Sequence, residues 1–180
     1  HTYIHTYIHT CILSKEPRST ATCHDFGELL LYLSLNKDEE KLLITVAKAY
    51  NLRPMDITGA SDPYVKIIQL NGIKRIRSKK TSIKRANLHP VYYEHLTLDI
   101  PKASINSTNL LIKVMDWDRI GRDDLLGCCI IGKDSPTEDG REQWRRCIEQ
   151  ETKASIGMWH SLLSDVPKEF TVHCHTAAKK

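Results

Sequence analysis

Between Gly27 and Leu163 the chain breaks into eight apolar stretches of ten residues or fewer, each closed by turn-forming or charged residues. They run Glu28 to Leu35, Lys41 to Ala49, Pro63 to Leu70, Ile73 to Lys80, Val91 to Ile100, Leu110 to Met115, Leu125 to Ile131 and Met158 to Leu163. Several alternate apolar with polar side chains, the two-residue period of a half-buried strand. Eight such strands in one domain predict an all-β sandwich. Lys37 to Glu40 reads as a charged turn, and Asn71-Gly72 between two strands is a hairpin signal. One segment breaks the pattern. From Thr137 to Glu151, Trp144, Cys147 and Ile148 recur at helical spacing, which predicts a single helix inserted before the last strand.

The longest apolar runs, Leu29 to Leu31 and Cys128 to Ile131, fall far short of the roughly 18 to 20 residues that cross a bilayer. A soluble domain over residues 27–163 is therefore expected, preceded by an irregular extension, 1–26, and followed by a polar tail, 164–180. The opening HTYIHTYIHT repeats a four-residue unit whose codons can be the tetranucleotide CATA read continuously, so it is expected to be translated microsatellite or the edge of a gene fragment. It lacks the basic start and apolar core of a secretory signal. The six cysteines show neither a disulfide framework nor paired CxxC spacing and are expected to be free thiols; Cys128 and Cys129, adjacent on a strand, would face opposite sides.

Charge is unevenly placed. The chain holds 26 basic and 22 acidic side chains, a net +4, yet seven of the bases fall between Lys74 and Arg85 with no acid among them. The other 168 residues carry 19 basic against 22 acidic groups, a net −3. Strict alternation would put Arg75, Arg77 and Lys79 on one face of the fourth strand and turn Ile76 toward the core. A charged edge can simply prevent aggregation. This patch, with Lys74, Lys80, Lys84 and Arg85 nearby, is denser than that purpose requires, and suits an acidic partner.

Acidic residues gather in two loops. After the second strand, NLRPMDITGASDPYVK places Asp56 and Asp62 around a glycine turn; after the sixth, VMDWDRIGRDDLLG holds Asp116, Asp118, Asp123 and Asp124. Carboxylates so close repel one another unless solvent or a cation intervenes, and hard oxygens without interleaved His or Cys favour calcium over zinc. The second loop is not an EF-hand. Asp116, Asp118 and Gly121 match its positions 1, 3 and 6, but Ile120 and Gly127 occupy positions 5 and 12, and the flanks read as strands.

Together, SDPYVK at Ser61 to Lys66, the DxDxxGxxD series at Asp116 to Asp124, the basic KRIRSKKTSIKR and MWHSL at Met158 to Leu162 resemble a C2 domain, most closely the second, membrane-distal C2 domain of a synaptotagmin. The resemblance implies an eight-stranded antiparallel β-sandwich with calcium loops at one end, binding two or more ions. It implies Asp56, Asp62, Asp116, Asp118 and Asp124 as calcium ligands, with the backbone carbonyls of Met55 and Trp117, and leaves Asp123 outside the set as a solvated neighbour. It also implies that Ile57 and Ile120 enter the lipid surface, and that Lys74, Arg75, Arg77, Lys79 and Lys80 bind phosphatidylinositol bisphosphate and other acidic lipids. Ser78 interrupts what is a continuous lysine run in the family.

The function so implied is calcium-dependent binding to acidic phospholipid membranes, as a sensor in vesicle trafficking and regulated exocytosis. SNARE proteins and a second C2 domain in the full-length chain are further expected partners. The expected location is cytoplasmic and peripheral on membranes, with the full-length protein anchored on secretory or synaptic vesicles. The alternative is a calcium-independent adaptor working through the basic strand, in a rabphilin-like or other double C2 protein. Nucleic acid is not expected, since no RNP-like aromatics, zinc finger or basic helix accompany the bases. Nor is catalysis, since no GxSxG, HExxH or phosphate-loop motif occurs.

Overall fold

A computed structural model describes residues 25–54, 59–150 and 154–171. Its strands are β1 (Glu28–Asn36), β2 (Lys41–Tyr50), β3 (Pro63–Asn71), β4 (Lys74–Lys80), β5 (Val91–Asp99), β6 (Thr108–Asp116), β7 (Asp124–Gly132) and β8 (Ile156–Ser161), with helix α1 (Glu138–Glu149) between the last two. They form two four-stranded antiparallel sheets, ordered β5-β2-β1-β8 and β4-β3-β6-β7. The fold is the eight-stranded sandwich with one inserted helix that the spacing predicts.

The core lies between the sheets because alternation in each strand sends one set of side chains inward. Leu29, Leu31, Leu33 and Leu35 of β1 meet Val65 and Ile67 of β3, Leu110, Ile112 and Val114 of β6, and Cys129 and Ile131 of β7 in one buried cluster. Cys129 faces that cluster, whereas Cys128 faces a second one on the outer side of its sheet. The expectation of opposite faces holds, and both thiols are free and buried. Burial lifts the Cys128 thiol to about 11. The outer cluster also takes Phe170, so part of the stretch read as a polar tail packs against the domain, bridged by backbone hydrogen bonds between Leu163 and Cys128.

Tertiary contacts explain the departures in detail. Asn71 ends β3 and pairs with Lys74, leaving Gly72 and Ile73 as the hairpin turn. Gly72 has φ +57, the positive value that a type II′ turn demands at its first central position. The helix starts at a Thr137 cap whose side chain accepts from the Gly140 N–H, and is anchored by Gln143. The Gln143 Nε2 donates to the carbonyls of Leu31 and Ile156, both at 2.8 Å, while its Oε1 meets His160 Nε2 at 2.6 Å. The histidine of the MWHSL motif thus fastens the inserted helix to the sheet.

Candidate functional site

The register of one sheet brings the two aspartate loops together. Pro63 at the start of β3 pairs with Asp116 at the end of β6, and Asp116 pairs on its other side with Asp124 at the start of β7. Asp62, Asp116 and Asp124 therefore lie at the same end of three neighbouring strands, spaced about 4.8 Å apart. Two hydrogen bonds stitch the loops: the Asp62 N–H donates to Asp116 Oδ1 at 2.7 Å, and the Trp117 N–H donates to the Asp62 carbonyl at 3.1 Å.

Within the second loop, Asp118 Oδ1 accepts from the Ile120 N–H at 2.9 Å, a side-chain-closed turn. A Cβ on Gly121 would stand 2.6 Å from Asp118 Oδ2, so the glycine leaves room for the carboxylate in this position. The turn lifts Ile120 to the tip, where it is 94% exposed. Asp123 is not the solvated neighbour expected. It accepts from the Tyr64 hydroxyl at 2.7 Å and from the Asp118 N–H at 3.1 Å, pinning the loop to β3. Those bonds, the tyrosine's first, hold its carboxyl below the usual carboxylate range. Burial, reinforced by Asp123, pushes Tyr64 up to about 12.

The Asp62 carboxylate already holds a cation. Arg85 Nη1 lies 3.0 Å from Oδ2, the Ala86 N–H donates to Oδ1 at 2.8 Å, and the guanidinium rests 4.4 Å from the centre of the Trp117 ring. Met55, Asp56 and Ile57 lie outside the described residues. Among the described residues no three His, Cys, Asp or Glu side chains converge closely enough to hold a metal ion. Asp62 is drawn to Arg85 and Ala86, and Asp118 is folded onto its own loop. The donor set is nonetheless all carboxylate oxygen, and a positive group already sits on it, which fits a hard cation.

The basic patch differs from the sequence expectation. Gln69 pairs with Arg77 and Leu70 with Arg75, so Ile76 is a bulge residue with no partner across the ladder. The bulge reverses the alternation. Arg75 shares the outer face of Leu70, where it reaches Ser78 Oγ at 2.6 Å; Arg77 shares the face of Gln69 and reaches Asp99 of β5 at 2.6 Å. Ile76 is 45% exposed and does not enter the core, because the edge strand has no second neighbour to cover it.

Register also adds two bases that the linear charge run omits. Lys80 pairs with Lys66, and Lys66 pairs with Lys113, giving a row of three lysines across β4, β3 and β6. Like charges placed directly opposite cost stability unless an anion bridges them. Lys113 registers this: burial first, then Lys66 and Arg75, hold its amine below the usual lysine range. Lys66 belongs to SDPYVK, but nothing in one strand's sequence signals its partners on two others.

Comparisons accord with this architecture. Residues 40–147 match the C2 domain family. The chain is 42% identical over 154 residues to Synaptotagmin-9 of Rattus norvegicus, covering 85% of this chain and 31% of that protein. It is 40% identical over 152 residues to Synaptotagmin-6 of Mus musculus, covering 84% and 29%. The chain thus spans about a third of the length of the curated relatives it matches. In fold it is similar to the first C2 domain of human synaptotagmin XIII, with a TM-score of 0.56 at 19% identity over 79% of this chain and 90% of the other.

Proposed function

Since this chain belongs to the C2-domain family and is similar in sequence to synaptotagmins, we propose that it docks on acidic phospholipid membranes when calcium binds its aspartate loops. The observation that carries the reading is the stitching of Asp62 to Asp116, which joins the end of the first acidic loop to the start of the second, the loop that exposes Ile120. Asp62, Asp116, Asp118 and Asp124 would hold two or more calcium ions together with Asp56 and the carbonyls of Met55 and Trp117. Bound calcium supplies positive charge where carboxylates otherwise repel acidic lipid. Ile120, and Ile57 in the other loop, would then enter the lipid surface. Lys74, Arg75, Arg77, Lys79 and Lys80, widened by Lys66 and Lys113, would take phosphatidylserine and phosphatidylinositol bisphosphate headgroups.

In the full-length protein the module would act as a calcium sensor in vesicle trafficking and regulated exocytosis, as a second C2 domain beside another, with SNARE proteins as further partners. Its place would be the cytoplasmic face of secretory or synaptic vesicles. A second reading, a calcium-independent adaptor, is favoured by the lysine row, whose mutual repulsion an acidic ligand relieves with or without calcium. Vesicle co-sedimentation with and without calcium separates them. Under the first reading calcium strengthens binding to phosphatidylserine vesicles, and Asp116→Asn with Asp118→Asn removes that gain. Binding that neither calcium nor the double variant alters would leave the adaptor.

A further inference from the structure

We infer that Arg85 is a built-in counter-cation that calcium must displace from Asp62, and that it sets the calcium affinity of the loops. The inference rests on the calcium reading above and deepens it. Both Asp62 oxygens are engaged, Oδ2 by the Arg85 guanidinium at 3.0 Å and Oδ1 by the Ala86 N–H at 2.8 Å. The segment that supplies them is shaped for the task. Ala86 takes φ +47, a left-handed backbone uncommon for a residue with a Cβ, and that posture faces its N–H to the carboxylate. Arg85 lies between the basic strand and β5, and its guanidinium is supported on the Trp117 ring of the opposing loop at 4.4 Å. One side chain therefore bridges both aspartate loops, with its charge on a carboxylate of the first and its flat face on an aromatic of the second.

A calcium ion that takes Asp62 Oδ2 competes for the lone pairs Arg85 now uses, and two cations cannot both sit close to one carboxylate without repulsion. Arg85 is 66% exposed on its side chain and Asp62 25%, so the pair is solvent-screened and exchangeable, not a permanent lock. Once displaced, the guanidinium remains at the loop end, where it adds to the positive face offered to lipid phosphate. Lysine at the same position would keep the charge but lose the planar contact with Trp117, so it holds Asp62 less firmly.

The test is calcium titration of the full 180-residue chain by calorimetry, without lipid, for the wild type, Arg85→Gln and Arg85→Lys. Arg85→Gln is expected to bind calcium about fivefold more tightly, the fold-change of a screened pair of roughly 1 kcal/mol, with Arg85→Lys intermediate. A second readout needs no variant. In NMR spectra the Arg85 Nε–H resonance should shift as calcium is added, and the Trp117 indole with it, as the guanidinium leaves Asp62. Unchanged affinity in Arg85→Gln, or an Arg85 signal indifferent to saturating calcium, would overturn the exchange while leaving calcium binding standing. If no form of the chain binds calcium, the calcium reading itself fails and this inference with it.

Discussion

Lowering the pH from 7 to 5 should weaken the fold through one side chain, His160. Its ring is buried, and Gln143 is committed as a donor to two carbonyls, so the Gln143 Oε1 must accept from the His160 Nε2–H. Nδ1 has no partner among the described residues. A proton added there would be a buried charge with nothing to receive it, and burial accordingly drops the His160 pKa to about 4. A histidine whose folded pKa lies below its unfolded value contributes stability that is complete above the unfolded value and lost as pH falls toward the folded one. With an unfolded pKa of about 6.5, the loss reaches roughly 2 kcal/mol at pH 5 and roughly 3 kcal/mol at pH 3.

Urea unfolding at a series of pH values, compared between the wild type and His160→Gln, isolates this contribution from the carboxylates and the exposed histidines common to both. The difference in unfolding free energy should shrink by about 2 kcal/mol between pH 7 and 5. A His160 imidazole that titrates near 6.5 by NMR, or a difference that stays constant over that range, would refute the reasoning. Such a result would mean that Nδ1 reaches water or an acceptor in the folded state.

Two further outcomes concern the surface. Ile120→Ser should leave the thermal midpoint unchanged, since the side chain is 94% exposed, but should weaken calcium-dependent vesicle binding at least tenfold, given about 1.5 to 3 kcal/mol for burying such a side chain. Replacing Lys66 and Lys113 together with Gln should weaken binding to vesicles containing phosphatidylinositol bisphosphate by about thirtyfold, at about 1 kcal/mol per base near an acidic surface. The same pair of changes should raise the thermal midpoint at neutral pH, because the depressed Lys113 amine marks a charge that the fold disfavours. Differential scanning calorimetry checks the sign, and a lower midpoint would count against the row as a site of mutual repulsion.

The strand count was legible because each strand carries its own period and its own punctuation, and both are local. The inserted helix was legible for the same reason, from Trp144, Cys147 and Ile148. What failed was the extrapolation of strict alternation through Arg75, Ile76 and Arg77. A bulge is decided by the partner strand, here by Gln69 and Leu70 pairing two residues apart on β4, and no residue within KRIRSKK announces it. His160 shows the same division: the sequence marks it only as part of MWHSL, while its burial and its bond to Gln143 exist only when the helix lies on the sheet.

The aspartate loops divide along that line too. Sequence alone determined that two loops carry clustered carboxylates and that Ile120 lies between the aspartates of the second, since spacing along the chain is a covalent fact. Only the tertiary structure decided that the ends of β3, β6 and β7 meet, that Asp123 serves as a pin, and that Arg85 bridges Asp62 and Trp117. The side-chain contacts among them reach far along the chain, 23 residues for Arg85 with Asp62 and 59 for Tyr64 with Asp123. At such distances the register of neighbouring strands, not the order of residues in any one of them, sets which charges face each other.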